Sequence, residues 1–174
     1  MRRFALFFIP LFVVACNGEP TTPTPGLKIP VHATADRSTG DTPNYNLEVL
    51  LRPVGSGDGF GHVKFRQAGN DDVAGRIDLG VWVRDLAPDT EYLLQRAIDV
   101  NLNGSCTGTN WVTLGLGPVA RSIITDSRGF GREDLFRIVT STPGTTFDIY
   151  FRVVRKNNAT VAVLQSECYQ FSVK

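Results

Sequence analysis

From residue 45 onward the chain is built on a period of two. In Leu47-Glu48-Val49-Leu50-Leu51-Arg52 the odd positions are apolar and most even ones are charged. Phe60 to Gln67 sets Val63 and Phe65 against His62, Lys64 and Arg66. Ile77, Leu79, Val81 and Val83 oppose Arg76, Asp78, Trp82 and Arg84. Phe147, Ile149, Phe151 and Val153 oppose Asp148, Tyr150 and Arg152. Side chains on a strand point alternately to opposite faces, so this pattern demands strands with one buried face. Further strands are expected over Glu91 to Val100, Trp111 to Leu114, Ala120 to Thr125, Leu135 to Val139 and Thr160 to Val173. The last changes phase near Gln165 to Glu167, which predicts a bulge there.

Turn formers separate the runs: Gly55-Ser56-Gly57-Asp58-Gly59, Ala68 to Asp72, Ala87-Pro88-Asp89, Asn103-Gly104, Asp126 to Gly129, Pro143-Gly144 and Lys156-Asn157-Asn158. No window carries a helical stripe capped at both ends. The expectation is an all-β domain over residues 45–174, an antiparallel Greek-key, immunoglobulin-like sandwich of about eight or nine strands.

The N-terminus obeys different rules. Arg2 and Arg3 precede an apolar run from Phe4 to Ala15, shorter than the roughly 20 residues a spanning helix needs and of the length of a secretory signal. Val13-Val14-Ala15-Cys16 resembles the lipobox of bacterial lipoproteins. That resemblance implies removal of residues 1–15 and acylation of Cys16, with more than one acyl chain giving stable membrane anchoring. Asn17, where an Asp commonly retains lipoproteins at the inner membrane, implies the outer membrane of a diderm host. Residues 16–44 then form a tether and lead-in. The segment Pro20-Thr21-Thr22-Pro23-Thr24-Pro25 favours extended chain and cannot bury a core.

Of 18 basic residues, the loss of Arg2 and Arg3 leaves 16 against 17 acidic ones. Without a basic tract, attraction to nucleic acid is not indicated. The expected partners are the membrane, through the lipid, and an envelope protein or glycan.

With Cys16 lipidated, Cys106 and Cys168 remain. An even pair in an exported chain reads as a disulfide, with buried thiols or metal ligands as the rival reading.

Two further resemblances concern the domain. Leu86-x-Pro88-x-Thr90-x-Tyr92 looks like the L-x-P-x-T-x-Y of fibronectin type III domains, which implies a tyrosine corner at Tyr92. From Val63 to Val173 the order of features resembles Cu/Zn superoxide dismutase and the related chordin-type sandwiches. These features are a strand ending at Asp85-Leu86, a strand from Tyr92 to Val100, a loop with Cys106, Leu114-Gly115, Thr125-Asp126-x-x-Gly129 and a last strand with Cys168. This resemblance implies a bridge from Cys106 to Cys168. It does not carry the activity with it. The dismutase needs at least six histidines, this chain has His32 and His62, and the strand that would hold His-x-His reads Leu93-Leu94-Gln95-Arg96-Ala97.

No nucleophile elbow, phosphate loop or dinucleotide fingerprint is present. Asp71-Asp72 and Glu133-Asp134 are adjacent carboxylates that suit solvated loops better than paired acid and base. No enzyme is expected, and no catalytic residue or organic cofactor is assigned. Calcium is the one candidate cation. Asp99-x-Asn101-x-Asn103-Gly104 fits the opening of a calcium loop, although position twelve is Asn110 and the plain turn is the simpler reading. Trp82, aromatic on a polar face, marks the candidate binding surface.

Overall fold

The computed structural model describes residues 46–67 and 75–174. Cys16, the signal, the tether, His32 and Asp71-Asp72 lie outside the described residues. Within them the chain is all-β and has no helix. The strands are β1 (Asn46–Pro53), β2 (Phe60–Gln67), β3 (Arg76–Arg84), β4 (Glu91–Asp99), β5 (Val112–Thr113), β6 (Gly115–Leu116), β7 (Val119–Ala120), β8 (Ser122–Ile124), β9 (Gly131–Ile138), β10 (Thr146–Arg155), β11 (Asn158–Ser166) and β12 (Tyr169–Ser172).

Twelve strands stand where eight or nine are expected, because the last expected strand is interrupted and a short hairpin adds β6 and β7. The last breaks at Glu167 and Cys168. β11 pairs with Arg152–Arg155 of β10 and β12 with its Thr146–Ile149. At the break the Ser166 hydroxyl receives the Phe151 amide at 2.9 Å and donates to Glu167 O at 2.7 Å, replacing the missing ladder bond. The β6–β7 hairpin loops out between β5 and β8. Both flanking pieces pair with β4, at Gln95–Arg96 and at Glu91–Leu93.

All strands belong to one sheet, in the order β5-β4-β10-β11-β1-β2-β3-β9-β6-β7. The sheet curls until its two ends nearly meet. At one end of the seam β8, paired to β4, reaches β9 through the Thr125–Gly131 bridge. At the other end β6 meets β9 at Leu116–Phe136. The result is a nearly closed, barrel-like sheet.

The alternating residues fill its interior. Val49, Leu51, Val63, Val81, Val83, Leu94, Ile123, Phe151, Val153 and Leu164 are fully buried. Phe65 packs edge-on to Phe171 at 4.7 Å and to Phe151 at 6.1 Å. Each such side chain contributes about 1.5–3 kcal/mol relative to exposure.

Candidate functional site

Cys106 and Cys168 are joined by a disulfide, with 5.4 Å between their α-carbons. The bridge ties the segment after β4 to the break between β11 and β12. This segment lies over the outward face of β10, so residues that alternate toward solvent in the sequence are covered. Asp148 and Tyr150 are buried. The Tyr150 hydroxyl donates to Gly108 O, and its ring packs on Trp111 at 4.6 Å. The Arg152 guanidinium sits 4.1 Å over Trp111 and donates from Nε to Gln95 Oε1 at 2.7 Å. Burial pushes the Tyr150 hydroxyl pKa up and the Arg152 pKa down.

The Asp99 loop is held by its own hydrogen bonds. Asp99 Oδ1 accepts the Asn101 amide at 3.0 Å. Its Oδ2 accepts the Thr107 hydroxyl at 2.8 Å and the Thr107 amide at 3.3 Å. The Asn101 amide first, and Thr107 second, hold this carboxyl below the usual aspartate range. Asn103 Oδ1 accepts the Ser105 amide at 2.8 Å. Asp148, directly across from Asp99 in the β10–β4 ladder, receives the amides of Asn103 and Gly104 on Oδ2 at 3.1 and 2.9 Å. Asp148 Oδ1 is buried and has no hydrogen-bond partner among the described residues. No group of three or more His, Cys, Asp or Glu side chains able to hold a metal is present among the described residues.

Trp82 faces outward, as its parity predicts. It is half-buried between His62, at a ring distance of 5.0 Å, and Phe60, at 5.7 Å. The ladder aligns Leu50, His62, Trp82 and Arg132 in one row across β1, β2, β3 and β9. Arg84 and Arg52 lie 5.0 and 5.5 Å from the Phe60 ring. Leu50 is 41% exposed at the row's end. The outer face of β1–β3 therefore presents a band of aromatic rings flanked by guanidinium groups.

Sequence reasoning passed over one further feature. Arg96 occupies the inward phase of β4, with Tyr92, Leu94 and Ile98, and Arg137 the inward phase of β9, with Leu135. Both border a cavity at the barrel end where β4 and β9 separate, with about 450 Å³ of empty space including its open mouth. The signal was present, as a charge in the apolar phase of two alternating runs.

No family model matches the chain, and no curated protein is significantly similar to it.

Proposed function

We propose that this is a lipid-anchored cell-envelope protein whose β domain is a non-catalytic binding or structural module. The observation that carries the reading is the outward band centred on Trp82. Its half-exposed indole, packed on His62 and Phe60 and flanked by Arg132 and Arg84, combines the residue types that dominate binding surfaces. The lipobox-like Val13–Cys16 and the Pro/Thr-rich tether support a position of this band outside the cytoplasm, and Asn17 supports the outer membrane of a diderm host. The disulfide is of the kind that oxidising compartments preserve. The partner is an envelope protein or glycan.

The sheet is read as a Greek-key sandwich. β4, β8 and β9 follow one another around the seam, and β10 returns to lie beside β4. This agrees with the dismutase-like and chordin-like order of sequence features, and carries no activity with it.

The test is capture from the envelope with the wild-type protein and with Trp82→Ala. The indole points away from the core, so the variant keeps its fold and loses the captured partner. Equal recovery by a folded variant would remove this face from the binding reading.

A second reading, a calcium-stabilised domain, is favoured by one observation. Asp148 Oδ1 is buried without a hydrogen bond, opposite Asp99 and beneath Asn103. Calcium would then raise the melting temperature of the wild type and not of Asp99→Ala. No rise in either would end this reading.

A further inference from the structure

Arg96 and Arg137 pose an electrostatic problem that the described residues leave open. Arginine is almost never buried without a partner, because its charge loses hydration that only an anion or several acceptors can replace. Both side chains are half-buried and lean into a cavity walled by Phe65, Leu79, Leu114, Phe147 and Phe151. Neither has an ion pair or hydrogen bond among the described residues. The acid on the inward phase of β9, Glu133, is already engaged by Arg121 at 3.3 Å. Burial first, and the charge of Arg137 second, lower the Arg96 pKa. Two like charges thus share one apolar opening with no described counter-ion.

The opening follows from the topology. β8 joins β4 to β9 at Glu91–Leu93 and Gly131; farther along the two strands are not paired to each other, and the β5–β6 segment runs between them, with Val112 paired to Arg96 and Leu116 to Phe136. Arg96 and Arg137 lie on the two sides of this segment, and both line the cavity.

We infer that this cavity binds a small carboxylate with a short apolar tail, the carboxylate held by Arg96 and Arg137 and the tail seated against Leu114, Phe147 and Phe151. Guanidinium groups match a carboxylate with paired, charge-assisted hydrogen bonds. An apolar pocket with a few convergent polar groups is the usual form of a small-molecule site. The site lies inside the barrel and is independent of both the membrane anchor and the Trp82 band.

The experiment uses the full chain carrying Cys16→Ser, exported and oxidised, which keeps attached lipid out of the sample. Hexanoate, hexanol and inorganic phosphate are each titrated to roughly 10 mM, with the melting temperature and calorimetric heat as readouts, since a ligand of the folded state raises its stability. Hexanoate is expected to bind and to raise the melting temperature. Hexanol and phosphate, each lacking one half of the ligand, bind at least about tenfold more weakly. Arg96→Gln and Arg137→Gln each weaken hexanoate about tenfold or more. The unliganded Arg96→Gln protein melts no lower than wild type, because an uncompensated charge has been removed. Absence of hexanoate binding, equal binding of hexanol, or undiminished binding in both variants would overturn the site. So would a marked loss of stability in unliganded Arg96→Gln and Arg137→Gln, which would assign both arginines to internal partners.

Discussion

The hydroxyl of Tyr92 accepts the backbone amide of Ala87 at 3.1 Å, closing the corner between β3 and β4. The Tyr92 ring is 1% exposed, so this bond is made at the edge of the core. Thr125 completes the corner. Its hydroxyl receives the Thr90 amide at 3.0 Å and reaches Ala87 O at 2.7 Å. Gly129, at φ +77°, packs so closely that a β-carbon there would stand 2.1 Å from Leu86 O. Tyr92→Phe keeps the ring and leaves the Ala87 amide unpaired. Urea denaturation should show a loss of about 1–2 kcal/mol with little change in the slope.

The Cys106–Cys168 bridge spans 62 positions and clamps the loop that covers Asp148 and Tyr150. Replacing both cysteines by serine should cost up to about 4 kcal/mol in the chain-entropy model. Hydrogen exchange should quicken first at Asn103 and Gly104, whose amides bond Asp148. Unchanged protection there would mean that the loop is held by Trp111 and Arg152 rather than by the bridge.

Three carboxylates with lowered pKa contribute to the acid response. Glu91 is held below its usual 4.5 by Lys156, whose Nζ lies at 2.6 Å. Asp126 is held below 3.8 by the amides of Phe130 and Arg128, and Asp99 by those of Asn101 and Thr107 and the Thr107 hydroxyl. A carboxyl with a lowered folded pKa adds stability that is complete above its unfolded value and lost as pH falls through the folded one. Stability should therefore be flat in these groups above about pH 5 and decline below their ordinary values. Asp126→Asn should flatten part of that decline in a melting series from neutral to acid pH.

The strict alternation of Ile77 to Val83 and of Phe147 to Val153 made β3 and β10 legible, since each has one face in the core. β9 was harder. It begins at Gly131, four residues before the expected start at Leu135, because Arg132, Glu133 and Asp134 hide its pairing to β3 behind charges. The phase change expected near Gln165 to Glu167 corresponds to the break at Glu167 and Cys168, although register shifts also fall between Val153 and Arg155 of β10. Nothing in the alternation says that the outward face of β10 is covered, since the covering loop is held by the remote disulfide and by Trp111. The corner at Tyr92 was readable from its motif alone. Arg96 and Arg137 were readable too, as charges out of phase. Their convergence on one cavity required knowing that β4 and β9 face each other across the seam.

The measurement that bears most directly on the account is mass spectrometry of the mature N-terminus after expression in a diderm bacterium with labelled palmitate. The first residue is expected to be Cys16, carrying acyl chains and the label, with both lost in Cys16→Ala. An unlabelled protein, or one cut elsewhere, would contradict the lipid anchor and with it the placement of the Trp82 band at the envelope.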